Sequence, residues 1–260
     1  MALSDHPKIQ QIIFEGYEFK MRDYIEKGIN LFQKNMGNYV GFILLSGLMM
    51  AMCQVIPILG PMAANLILLP ALTAGFYKTS REVERGRPAP FAMFFSGFDQ
   101  IGAFVVIQIV TGLIILASLI PFLVSIFFTG FMSWYFELFS NPEAISDFPD
   151  FPFWTLILLL PAFYLSIAYQ FAIPFVVFHK MEFWDAMEAS RQIVTKRWLW
   201  FFLFYIVTGF IAMLGALALL IGLIFSLPAV FCMHYACFSE ISRLESPEDE
   251  NFDISDHLIV

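Results

Sequence analysis

Long apolar runs free of positive charge alternate with short basic ones along this chain. All fourteen Lys and Arg side chains fall in four groups: Lys8 to Lys34, Lys78 to Arg87, Lys180 to Arg197, and Arg243 alone. The intervals between them, 35–77, 88–179 and 198–242, contain none. A charge held at the centre of a bilayer costs about 2.5–3.5 kcal/mol on insertion scales, so these intervals are where lipid can surround the chain. A membrane-crossing helix takes about 20 residues. The first and third intervals each have room for two crossings and a tight turn, and the middle one for two crossings and an external segment. The pattern predicts an all-α, polytopic transmembrane helical bundle of six spans arranged as three hairpins. The spans fall at about 38–56, 62–78, 99–124, 153–178, 198–217 and 220–240.

The first turn is written as Pro57-Ile58-Leu59-Gly60-Pro61, and the third must fall near Gly215 to Gly222. The external segment, about 127–152, carries Glu137, Glu143, Asp147 and Asp150 without a positive charge. Basic loops stay cytoplasmic, which puts 78–98, 179–197 and both termini inside. The chain then divides into an N-terminal cytoplasmic segment (1–37), a membrane domain (38–240) and an acidic cytoplasmic tail (241–260). A seventh span over 122–139 would push Lys180 to Arg197 outside. The expectation is therefore an extended third span followed by an interfacial helix holding Trp134, Tyr135 and Phe136.

Each returning span contains proline, which frees a carbonyl and kinks a helix. The kinks are expected at Pro70, at Pro174 (with Pro161 nearby) and at Pro228. The first and third hairpins also share letters: Leu69-Pro70-Ala71 with Tyr77 and Glu82 parallels Leu227-Pro228-Ala229 with Tyr235 and Glu240.

Three basic segments read as interfacial helices. Phe91, Phe94, Phe95 and Phe98 recur at α-helical spacing. Tyr17, Met21, Ile25, Gly28 and Phe32 do likewise within 17–36. In 181–195, Phe183, Trp184, Met187 and Val194 share one side, opposite Asp185, Glu188 and Lys196. Such helices lie in the headgroup plane or act as elbows that orient the spans.

Composition agrees with lipid as the solvent. Hydrophobic residues make up 59% and charged ones 14%, with 32 Phe, against about half and a quarter in soluble domains. Residues 1–36 lack the unbroken apolar run of a cleavable signal peptide. Cys53, Cys232 and Cys237 lie in apolar stretches and read as buried thiols, not as disulfides. The net charge of −8 is unevenly placed and says more about sidedness than about partners.

Ionisable groups within spans point to function, and this chain has few. Asp99, Gln108, Gln170 and His234 are the candidate intramembrane polar pathway, with Gln54 and Asn65 as further polar residues that interhelical hydrogen bonds explain. Cys232, His234 and Cys237 do not converge on one helix face, so no metal site is expected. His179 and Glu182 offer at most two ligands and read as a solvated pair. No nucleophile, metalloprotease, phosphate-loop or dinucleotide motif occurs, so neither catalytic residues nor a cofactor is expected. The expected partners are membrane lipids, other membrane proteins or further copies of the chain, and not nucleic acid.

Ile173-Pro174-Phe175-Val176-Val177, then Trp184-Asp185-Ala186-Met187-Glu188-Ala189-Ser190 and Trp198, resemble a family of uncharacterised bacterial six-span inner-membrane proteins. That family is similar to the membrane domain of some glycerophosphoryl diester phosphodiesterases. Leu69 to Gly75 and Leu227-Pro228-Ala229 look similar to its other helices. The resemblance implies the bacterial inner membrane and a six-helix bundle, and it brings no catalytic residues. The reading is a non-enzymatic scaffold or accessory factor. The alternatives are a transporter or channel for an apolar or amphiphilic solute, and a lipid enzyme built on Asp99, His179 and Glu182.

Overall fold

The computed structural model describes residues 6–129, 131–140, 153–217 and 221–244. These residues form helices and no strand. Most of the acidic external segment (141–152) and of the acidic tail (245–260), and part of the third turn (218–220), lie outside them.

A short helix α1 (Pro7–Glu15) precedes the amphipathic α2 (Met21–Lys34). Six longer apolar helices follow: α3 (Met36–Cys53), α4 (Leu59–Glu84), a span over Phe91–Phe128, α7 (Phe153–His179), α9 (Trp198–Leu217) and α10 (Leu223–Ile241). The third of these starts as a 3₁₀ segment, Phe91–Gln100, and continues as α5, Ile101–Phe128. The short α6 (Phe131–Ser140) and the amphipathic α8 (Phe183–Lys196) complete the order. All six long helices are long and apolar enough to cross a bilayer. Leu48, Met52, Leu113, Ile120 and Leu217 point outward more than half exposed, a surface that suits lipid and not water. The chain is a multi-pass membrane protein.

At ten residues, α6 is too short to cross, and it follows α5 as a separate helix. The extended third span and its short successor agree with the expectation. The first turn also falls as expected, with Ile58 at φ 64° and Gly60 packed so tightly that a Cβ would lie 1.6 Å from the Cys53 carbonyl oxygen.

The three hairpins share a unit that is only partly visible in the sequence. An amphipathic segment ends at one hinge residue and an outgoing span begins directly after it. The hinges are Asn35 (φ −141°, ψ 36°), Gln100 (φ −123°, ψ 23°) and Arg197 (φ −133°, ψ 33°). All three lie outside the α well, so each turns the chain from the surface into the bundle. The units pack in cyclic order. The 3₁₀ segment sits on α4, α8 sits on α7, and α2 returns to sit on α10, the returning helix of the last hairpin. The Tyr77 and Tyr235 rings of the shared Leu-Pro-Ala motifs meet edge-on at 5.7 Å.

Small residues let these segments approach. A Cβ on Gly28 would lie 2.5 Å from the Met233 Cα, and one on Gly97 would lie 1.9 Å from the Ala71 carbonyl oxygen. In α8 the position matching Gly28 is Ser190, fully buried against α7.

Details of the amphipathic faces depart from the expectation. The Phe-rich segment winds as a 3₁₀ helix, which stacks every third residue, so Phe94 and Gly97 are its buried positions. The close contact with α4 selects this winding, because Gly75 and Gly97 admit backbone on both sides. In α8 the buried face is Ala186, Met187, Ala189, Ser190, Ile193 and Val194, while Phe183 and Trp184 face outward. In the N-terminal segment the helix starts at Met21, and Tyr17 lies before it, donating its hydroxyl to the Ile193 carbonyl at 2.9 Å. Helix α1, which the apolar pattern does not announce, buries Ile9 and Ile12 and packs on α8.

The three proline sites differ. Pro174 follows a true break at 169–171 between two α-helical stretches of α7. Pro70 follows a π-helical turn, Ala64–Leu68, that widens α4. Pro228 sits inside the uninterrupted α10.

Candidate functional site

The polar residues at depth partner locally. Tyr205 of α9 donates its hydroxyl to Gln170 Oε1 at the α7 break. The same tyrosine ring lies 4.8 Å from the His234 ring of α10, and His234 Nε2 is 3.4 Å from Thr208 Oγ1. Gln170 and His234 thus join one half-buried group through Tyr205, a residue the sequence reading passes over. Gln108 belongs elsewhere: its Nε2 donates to the Asn65 carbonyl at 3.3 Å, at the widened turn of α4. Asp99 is exposed at the end of the 3₁₀ segment. Of the four expected pathway residues, Gln170 and His234 meet through Tyr205, Gln108 bonds to the α4 backbone instead, and Asp99 stands apart from all three.

No group of three or more His, Cys, Asp or Glu among the described residues is placed to hold a metal ion. His234 is flanked by the rings of Phe204 and Tyr205, and Cys232 and Cys237 are buried free thiols.

Charge concentrates instead at the basic end of the bundle. Glu84, the last residue of α4, ties three helices together. Its carboxylate accepts from Lys27 Nζ of α2 at 2.8 Å, from the Tyr235 hydroxyl of α10 at 2.6 Å and from the Ser239 hydroxyl at 3.3 Å, and Arg81 lies at 3.4 Å. Beside it opens a cavity of about 500 Å³ where α4, α7 and α10 all end. Lys78, Arg81 and Glu82 of α4 and Arg85 just past its end line it, with Ser96 of the 3₁₀ segment, His179, Arg243 and Lys8. Lys78 donates to the Ser96 carbonyl at 2.9 Å, and Arg85 lies 3.8 Å from Glu82. Of the three residues considered for a lipid enzyme, only His179 lines this cavity.

The sequence held a signal for the cavity. Lys78, Arg81, Glu82 and Arg85 are spaced i, i+3, i+4 and i+7, one stripe of a helix. The stripe reads first as a topology marker, because Lys8 and Arg243, which complete the site, are remote in sequence.

On α8, Glu188 receives Arg191 through two hydrogen bonds of 2.6 and 2.9 Å and Gln192 through a third. The Arg191 guanidinium holds the Glu188 carboxyl below the ordinary carboxylate value. No protein-family model matches this chain, and neither a curated protein nor a solved structure is detectably similar to it.

Proposed function

We propose that this chain is a non-enzymatic integral protein of the bacterial inner membrane, with both termini cytoplasmic, serving as a scaffold or accessory factor. The observation that carries the reading is how the intramembrane polar groups are used. Gln170, Tyr205, Thr208 and His234 bond to one another, and Gln108 bonds to the α4 backbone. A transport path would leave such groups lining water, whereas here they join helices. The proposed partners are membrane lipids, other membrane proteins or further copies of this chain. The sidedness rests on the cationic groups at the hinge ends of the bundle.

A second reading, passage of an amphiphilic solute, draws support from the break in α7 and the π turn in α4, irregular backbone of the kind that transporters use as moving parts. Two experiments decide. Reporter fusions near Glu143 and Arg191 are expected to report opposite compartments, and the same compartment for both would overturn the topology. Proteoliposomes with a trapped pH dye are expected to behave like protein-free vesicles under a proton gradient or an added amphiphile. Solute-dependent flux would favour the second reading and refute the first.

A further inference from the structure

We infer that the corner where α8 turns into α9, built from Phe14, Lys196, Arg197 and Trp200, is a docking site for an anionic phospholipid of the adjoining leaflet. The inference deepens the proposed lipid partnership and rests on it. Its test responds to headgroup charge and not to solute flux or sidedness, so the two failures are distinguishable.

Lys196 ends α8 and Arg197 is the hinge, so both stand where a span enters the bilayer. Lys196 Nζ donates to the Phe14 carbonyl and Arg197 Nε to the Tyr17 carbonyl, each at 3.3 Å. Each contact occupies one donor, whereas a lysine carries three and an arginine five, and both side chains are exposed. A carbonyl does not cancel a charge, and neither cation is ion-paired with a carboxylate among the described residues. Two simpler explanations fall short. The C-terminus of α8 offers only about half a negative charge to two cations. A cation that fixes topology serves anywhere in its loop, and needs no apolar neighbour.

Phe14 is that neighbour. Its side chain is 91% exposed, although Ile9 and Ile12 seat the rest of α1. The Lys196 contact fixes the Phe14 backbone beside the start of α9, where Leu199 and Trp200 also face outward. The Phe19 ring stacks on Trp200 at 6.4 Å, tying the segment between α1 and α2 to the same corner. The apolar half of the corner is therefore continuous with the lipid-facing side of α9. An aromatic ring that enters the acyl boundary beside two cations at headgroup level matches the chemistry of an anionic phospholipid. An acidic protein would satisfy the cations and leave the Phe14 ring without a comparable partner.

The test uses the full-length chain in phosphatidylcholine nanodiscs, with thermal unfolding followed as phosphatidylglycerol is doped into the bilayer. Saturable stabilisation is expected. Lys196→Gln/Arg197→Gln is expected to raise the half-saturating lipid fraction about tenfold or more. Arg22→Gln/Lys180→Gln, which removes equal charge at exposed positions outside the corner, is expected to leave it unchanged. Phe14→Ser is expected to weaken the response severalfold and to keep its salt dependence, which the first double variant loses. Lys196→Gln alone carries the same comparison should that variant fail to fold. No stabilisation by phosphatidylglycerol, or equal loss in the two double variants, overturns the site. A larger stabilisation by soluble polyglutamate than by phosphatidylglycerol would give the corner to an acidic protein and overturn it too.

Discussion

Ser190 spans the break in α7. Its hydroxyl donates to the Ala168 carbonyl at 2.6 Å and accepts from the Phe171 amide at 3.0 Å. Both backbone groups fall where the helix is interrupted ahead of Pro174, so neither sits in a regular helical ladder. Ser190→Ala removes one oxygen and strands two buried backbone groups with almost no change of volume. An unsatisfied buried group costs about 1–3 kcal/mol, so the pair amounts to about 2–6 kcal/mol. That is a large share of the roughly 5–15 kcal/mol that holds a protein folded. Reversible unfolding in mixed micelles of increasing dodecyl sulfate, read by tryptophan fluorescence, measures the loss. Ser166→Ala is the control: its hydroxyl bonds back to Ala162 within the same helix, and its removal is expected to cost under about 0.5 kcal/mol. If Ser190→Ala lies within about 0.5 kcal/mol of the native chain, the bridge across the break contributes nothing and the account is wrong.

Gly28→Ala, whose new methyl would collide with the Met233 backbone, is expected to cost about 1–3 kcal/mol in the same unfolding assay. Gly37→Ala, with open space around it, should cost far less. Glu84→Ala removes the acceptor shared by α2, α4 and α10. The expected loss is about 2 kcal/mol, discounted because Lys27 is partly in water, and a matching drop in midpoint would appear by circular dichroism. For pH, the Glu188 carboxyl is held below its ordinary value of 4.5 by Arg191. Its contribution is therefore full above that value and fades as pH falls below it. Glu188→Gln should narrow the stability gap between pH 6 and pH 3.5 in the unfolding assay, and an unchanged gap would count against the clamp.

The spans were legible because lipid imposes a harsh rule on charge, and the three cation-free intervals obey it. The first turn was legible from Pro57 to Pro61. The interfacial segments were legible as amphipathic, but not their winding or their exact faces. Phe95 and Phe98 suit an α-helix on paper, and only the contact of Gly97 with Ala71 and of Gly75 with Phe94 imposes a 3₁₀ helix. Phe183 and Trp184 look like core residues by hydrophobicity yet face outward, because Ala186, Ala189 and Ser190 are small enough for close approach to α7. The repeat was half legible: the Leu-Pro-Ala letters mark the first and third hairpins. The second hairpin shares a hinge conformation, which leaves no fixed letter at Asn35, Gln100 or Arg197. The candidate polar pathway was read residue by residue, and sequence does not reveal that Gln108 bonds to α4 while Gln170 and His234 meet at Tyr205. The basic cavity was hidden for the same reason, since Lys8 and Arg243 join Arg81 and Arg85 only through tertiary contact.

The seat of α2 on α10 bears on the order of biosynthesis. Nearly two hundred residues separate the two helices, so the face with Tyr24, Gly28 and Phe32 emerges from the ribosome long before its seat exists. In the interval Phe32 can already meet the Tyr39 ring of α3, but Gly28 has no seat until Met233 arrives, and the molecule locks from both ends at once when its last segment inserts. A chain halted before Leu223 should keep its earlier hairpins in the membrane while α2 stays open to protease.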